Sequence, residues 1–154
     1  MSAEEIKKLR EETGAGVMEC KRALEDARGD FDKAKVFLAD SALAVAKKKA
    51  ERATKNGLIE SYVHAGKIGV LVEIACESDF VAKNPQFKEM AHKIAMQIAS
   101  MNPKNVAELL EQDYIIDPKT KVSDYINSII LQIKENIVIK RFVRFEFSEM
   151  DAEK

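Results

Sequence analysis

The chain has 154 residues, of which 46% are hydrophobic and 33% charged, with only 6 Gly and 3 Pro. That length fits one ordinary domain or a small module joined to a larger one, and the scarcity of Gly and Pro excludes collagen-like or long disordered stretches. A formal net charge of −1 makes no demand for nucleic acid or an anionic membrane.

Taken in chain order, the first 40 residues predict three short helices. Ile6 and Leu9 give the first an apolar edge, and Thr13-Gly14-Ala15-Gly16 stops it. The second runs from about Val17 to Ala27 on a stripe of Val17, Cys20, Ala23, Leu24 and Ala27. Gly29-Asp30 breaks the chain, and Asp30 or Asp32 can cap a third helix carrying Ala34, Phe37 and Leu38. A module of this size presents a surface rather than enclosing a pocket. Residues 41–54, SALAVAKKKAERAT, predict a connecting helix from their Ala and Lys content, ended by Asn56-Gly57.

The period then switches to alternation. Leu58 to His64 and Ile68 to Cys76 flank Ala65-Gly66-Lys67, a hairpin signal. In the second strand Ile68, Val70, Val72, Ile74 and Cys76 share a face, while Leu71 and Ala75 keep the other partly apolar, which places it centrally in a sheet. Pro85 suits the first turn of a long helix with an apolar stripe of Phe87, Met90, Ala91, Ile94, Ala95 and Ile98, ended at Met101-Asn102-Pro103. A short helix is expected around Val106 to Gln112, then a turn at Asp117-Pro118. Another amphipathic helix follows on Val122, Tyr125, Ile126, Ile129 and Ile133, and a third strand from Ile137 to Phe147. The expected class is therefore α+β: a three-helix module over residues 1–40, a linker helix over 41–55, a small antiparallel three-stranded sheet packed with helices over 56–148, and a polar tail at 149–154.

Chemistry-bearing patterns are sparse. His64 and His92 have no neighbours at metal-ligand spacing, and Cys20 and Cys76 fall on apolar faces as small buried residues. No P-loop, dinucleotide-binding fingerprint or nucleophile elbow occurs. No catalytic residue, metal site or cofactor is expected, and the chain reads as a non-enzymatic protein that docks on another macromolecule. No run of 18 apolar residues could span a bilayer. The N-terminus MSAEEIKKLREE lacks the apolar core of a signal peptide, and the cysteines form no CxxC pair, so a reduced, cytoplasmic setting is expected. Lys47, Lys48, Lys49, Arg52 and Lys55 concentrate positive charge and could contact RNA. A solvated linker is the plainer reading, since no aromatic residues interleave to stack bases.

Two features stand apart. Met18 lies about 150° from the centre of its helix's apolar stripe, at about 100° per residue, among Lys21, Arg22 and Glu25, and should be exposed. In Ser78-Asp79-Phe80-Val81-Ala82-Lys83-Asn84, a strand hands over to a helix. Either Ser78 or Asp79 caps that helix with Phe80 tucked beneath it, or Phe80 projects as an anchor for a partner.

Three segments carry a family resemblance: Leu9 to Leu24 (LREETGAGVMECKRAL) followed by Gly29-Asp30, Val70 to Asn84 (VLVEIACESDFVAKN), and Glu135 to Glu146 (ENIVIKRFVRFE). In this order they resemble the signatures of the translation elongation factor Ts family. The resemblance implies an N-terminal module of the ubiquitin-associated type on an α+β core, and guanine-nucleotide exchange on elongation factor Tu, the GTPase that carries aminoacyl-tRNA. It assigns Arg10, Val17, Met18 and Lys21 to a contact with the partner's nucleotide domain, and Asp79, Phe80 and Val81 to a second contact near its magnesium and phosphate site. Family members commonly carry two copies of the core, or one copy with a longer helical insertion before the last strand. This chain has one copy with a shortened stretch from Asn102 to Val122, in which Glu108 to Gln112 resembles the far end of that insertion. One-copy members pair into homodimers, so a dimer through the core is implied. Glu108 stands where such forms can carry a bridging cysteine, so no intersubunit disulfide is expected. The competing reading is an RNA- or ribosome-associated protein that uses the basic linker helix.

Overall fold

Ser2 opens the first helix of the computed structural model, whose described residues are 1–148; the polar tail expected at 149–154 lies outside them. Helix α1 spans Ala3–Thr13. Ser2 Oγ accepts the Glu5 N–H at 3.2 Å, and the Glu5 carboxylate accepts the Ser2 N–H at 2.8 Å, a reciprocal cap. Gly14 ends the helix at φ 71°, a left-handed conformation that suits glycine, and its N–H donates to the Arg10 carbonyl at 2.7 Å. Helix α2 follows at Val17–Asp26, and the Glu19 carboxylate accepts the Gly16 N–H at 2.9 Å. Asp30 caps α3, Phe31–Lys49, by accepting the Lys33 N–H at 3.0 Å. Leu9, Cys20, Leu24, Ala34 and Leu38 fill the core of these three helices.

The expected third helix and linker helix are one element. Nothing between Leu38 and Ala42 breaks the helix, because Asp40-Ser41-Ala42-Leu43 contains neither Gly nor Pro. The helix stops at Lys49, short of the Asn56-Gly57 expected from composition. Lys47, Lys48 and Lys49 complement its carbonyl end, and Arg52 is held instead by tertiary partners described below.

Strands β1 (Asn56–His64), β2 (Ile68–Cys76) and β3 (Ile137–Glu146) form one antiparallel sheet in the order β1-β2-β3, with β2 central as its two-faced apolar pattern requires. The hairpin between β1 and β2 turns on Ala65 (φ 52°) and Gly66 (φ 66°), both left-handed, and Lys67 N–H donates to the His64 carbonyl at 2.9 Å. A bulge at Glu73/Ile74 inserts Lys140 into β3, so two exposed residues, Lys140 and Arg141, interrupt its alternation.

Helices α4 (Asp79–Ala82), α5 (Pro85–Met101), α6 (Val106–Glu111) and α7 (Val122–Ile133) complete the described residues. α5 lies against β1 and β2 and buries Phe87, Met90, Ile94 and Ile98 with Val70, Val72 and Ile74. Its carbonyl end is closed from two sides: the Arg144 guanidinium donates to the Ala99 carbonyl at 3.2 and 3.0 Å, and the Gln112 amide to the Met101 carbonyl at 3.3 Å. The described residues thus hold seven helices and one three-stranded antiparallel sheet, the α+β class expected.

Two units divide the chain. Residues Met1–Glu51 cluster with Asp124–Glu135, and Arg52–Ser123 with the described residues from Asn136 onward. Most of α7 therefore belongs with the N-terminal helices rather than with the sheet, where its place in the sequence suggested. Lys49 Nζ donates to the Lys134 carbonyl at 2.9 Å, and the Gln132 amide lies where a side chain on Gly14 would stand. Three helices in so short a segment make a core near the lower size limit, and the end of α7 meets them through polar groups, the Gln132 amide and the Lys134 carbonyl.

Candidate functional site

The segment after β2 is built by two caps six residues apart. Ser78 is extended (φ −119°, ψ 153°), and its hydroxyl accepts the Val81 N–H at 3.2 Å, which starts α4. Asn84 is also extended and accepts the Gln86 N–H at 2.7 Å, which starts α5. Pro85 has no N–H to donate and pushes Asn84 out of the helical region, so α4 cannot run on into α5. One isolated turn of helix is the result.

That turn has two sides. Val81 and Ala82 point inward and are each only 6% exposed, whereas Phe80 is 83% exposed. Asp79 also faces outward, and its carboxylate meets Lys83 Nζ at 2.9 Å. This hydrogen bond, with the charge behind it, raises the Lys83 pKa. Ser78 caps the helix as the plainer reading had it, but Phe80 is not tucked beneath. An exposed Phe forgoes about 1.5–3 kcal/mol of burial. Of the three residues that the resemblance assigned here, the structure brings Asp79 and Phe80 to the surface and turns Val81 into the core.

In the helical unit, Met18 is 67% exposed, as its angular position required, and Val17 beside it is 49% exposed. Lys21 is exposed one turn further along α2, and Arg10 is exposed on the last turn of α1, next to the Gly14 turn that leads into α2. All four assigned residues of the first contact are therefore at the surface of this unit. The basic cluster is partly committed internally: Lys49 bonds the Lys134 carbonyl and Arg52 Nη1 lies 3.7 Å from the Glu77 carboxylate.

Cys20 and Cys76 are not disulfide-bonded and have no solvent exposure, and burial pushes the Cys20 pKa up. His64 and His92 both meet Tyr62, the first through a 2.9 Å contact of its Nδ1 with the phenol and the second edge-on at 5.6 Å. Among the described residues, no group of three or more His, Cys, Asp or Glu is placed to hold a metal ion. No described helix is long and apolar enough to cross a membrane.

A further surface was only half visible in the sequence. On the sheet face opposite α5, Ile59 and Val63 of β1, Leu71 of β2, and Val143 and Phe145 of β3 are all exposed, and the register places them side by side. Glu73 and Arg141 pair across the same face at 3.1 Å. Apolar residues at both parities of β2 signalled such a face, but the bulge that brings Val143 and Phe145 onto it had no evident signature.

Fold and site together define a two-part α+β protein, with a helical unit and a small sheet unit that each expose apolar side chains from capped helices. The elongation factor TS family model matches residues 77–153. Relatives named elongation factor Ts include those of Thermoanaerobacter sp. (strain X514), 40% identical over 195 aligned residues covering 97% of this chain and 96% of the relative, and Thermodesulfovibrio yellowstonii, 38% identical over 197 and covering 99% of each. That of Thermotoga neapolitana is 41% identical over 193, covering 97% of this chain and 98% of the relative. The chain belongs to the elongation factor Ts family of translation elongation factors. These alignments are longer than the 154-residue chain, so the relatives carry segments with no counterpart in it.

Proposed function

We propose that this protein is a guanine-nucleotide exchange factor that binds elongation factor Tu in the cytoplasm and promotes release of GDP, without bond-making chemistry of its own. The observation that carries the reading is Phe80: a large apolar side chain, 83% exposed, on a helical turn fixed by a cap at each end. Val17 and Met18, with Arg10 and Lys21 beside them, supply an apolar patch edged by positive charge for a second point of contact.

The mechanism is thermodynamic linkage. GDP is held largely through its phosphates and Mg²⁺, which need the loops of the GTPase in one arrangement. A factor that binds a form with those loops displaced weakens nucleotide binding by the same factor by which nucleotide weakens its own. In this scheme Phe80 enters the partner and separates packed elements, gaining the burial it lacks in the free protein. Asp79 brings negative charge toward the phosphate site or takes up a donor that the site releases. Val81 acts from beneath, as part of the floor on which Phe80 stands. Excess GTP then sets the direction of replacement.

The helical unit serves as the docking module of ubiquitin-associated type, and the sheet unit as the place of self-association. The open sheet face suits a second copy of the chain: its exposed apolar residues are bordered at one end by the Glu73–Arg141 pair, so a two-fold related face offers both charges to both. With Lys49 and Arg52 engaged within the chain, RNA capture by the basic helix has less to support it.

Stopped-flow release of a fluorescent GDP analogue from elongation factor Tu tests the reading. The wild-type protein is expected to accelerate release strongly, and Phe80→Ala to lose most of the acceleration while folding normally. No acceleration by folded wild-type protein against a cognate partner overturns it.

A further inference from the structure

We propose that Glu77 is the residue that positions the Phe80 turn; its functional consequence rests on the exchange reading above, its structural consequence does not. Glu77 is the last residue before the cap Ser78, and both its side chain and its backbone are engaged. Its carboxylate accepts the backbone N–H of Asn136 at 2.6 Å and lies 3.7 Å from Arg52 Nη1. Its carbonyl accepts Asn56 Nδ2 at 2.9 Å. Asn136, only 4% exposed, closes the ring by donating its side-chain amide to the Arg52 carbonyl at 3.0 Å. Next to it, Cys76 Sγ donates to the Ser78 carbonyl at 3.2 Å.

The partners are placed so that this one residue ties four chain segments. Asn56 begins β1, and Asn136 immediately precedes β3. Arg52 and Asn136 are also the first residues of the sheet unit after each passage of the chain through the helical unit. The end of β2 is thereby held to the starts of both neighbouring strands, one residue before the turn that carries Phe80.

A four-residue helix has too few internal hydrogen bonds to hold its own direction. α4 therefore takes its orientation from what precedes and follows it, and Glu77 is what fixes the preceding side. An anchor held in place before docking loses less freedom on binding than a mobile one. Glu77 touches no partner in this scheme; it acts through the direction of Phe80.

Full-length Glu77→Ala and Glu77→Gln test this with two readouts, amide hydrogen exchange at residues 79–83 and GDP release from elongation factor Tu across a range of factor concentrations. Glu77→Ala is expected to speed amide exchange at 79–83 about tenfold or more. It should also lower the maximal release rate roughly fivefold or more, with the half-saturating concentration little changed because the helical unit still docks. Glu77→Gln keeps an oxygen for the Asn136 N–H and should recover most of both. Unchanged amide exchange at 79–83 in Glu77→Ala overturns the proposal, as does a maximal release rate that stays at the wild-type value when those amides loosen. If the wild-type protein accelerates nothing, the exchange reading falls, and the amide readout alone decides whether Glu77 positions the turn. Should Glu77→Ala not fold, Asn56→Ala, which frees only the Glu77 carbonyl, must loosen the same amides or the proposal fails.

Discussion

Replacing Gln97 by Leu and by Glu separates two terms that the wild-type side chain combines. Gln97 has no solvent exposure, and three hydrogen bonds tie its side chain to the segment after α6. Its amide donates to Gln112 Oε1 at 3.2 Å and to the Asp113 carbonyl at 3.0 Å, and its oxygen accepts the Ile115 N–H at 2.9 Å. Gln97→Leu removes three hydrogen bonds worth about 1 kcal/mol each net. It regains about 1–2 kcal/mol from the buried apolar side chain. A net loss of about 1–2 kcal/mol follows. Gln97→Glu keeps the bond to Ile115 and leaves unmet the same two acceptors that Gln97→Leu leaves, but turns a carboxylate toward them and confines its charge without solvent. Its folded-state pKa must then lie above the unfolded value of about 4.3. The folded state binds the extra proton, so stability falls as pH rises through that interval, and the cost is absent below the unfolded pKa. Urea unfolding at pH 5 and pH 8 decides the matter. Gln97→Glu should be the less stable variant at pH 8 and should gain on Gln97→Leu at pH 5. Equal stability of the two at pH 8, with no difference in pH dependence, would refute the assignment of Gln97 as the clamp on this segment.

Two further outcomes are expected. Ala65 adopts a left-handed φ of 52° in the hairpin turn, and Asn tolerates that conformation better, so Ala65→Asn should raise stability by about 1 kcal/mol and Tm by a few degrees in a thermal melt. Val143→Glu places a charge on the open sheet face beside Leu71 of the central strand; sedimentation analysis should find wild-type dimers and variant monomers of unchanged helicity, whereas a monomeric wild type removes the sheet-face dimer.

Periodicity revealed the elements wherever one period ran unbroken. β2 reads from Ile68 to Cys76 because its apolar residues alternate without interruption, and α5 from Pro85 to Met101 because its stripe is continuous and both ends are punctuated. The exposure of Met18 followed from angle alone. The direction of Phe80 did not: Ser78 capping fits either a tucked or a projecting ring. The choice depends on Pro85 halting α4 after one turn, with Val81 and Ala82 already filling the space beneath. The sequence suggested two helices where one continuous helix runs, although no Gly or Pro near Ser41 separates them, and its end at Lys49 carried no local signal. That end depends on Arg52 meeting Glu77 and Asn136, residues distant in sequence. The same holds for α7, whose stripe names a buried face without naming the unit that buries it.

The linkage account makes its most direct claim about affinity. Isothermal titration of the protein into nucleotide-free and into GDP-loaded elongation factor Tu measures the coupling. Binding to the nucleotide-free form should be tighter by the same ratio by which the factor weakens GDP, and Phe80→Ala should shrink that ratio. Equal affinity for the two forms would contradict the account, because a ligand that does not distinguish two states cannot shift the balance between them.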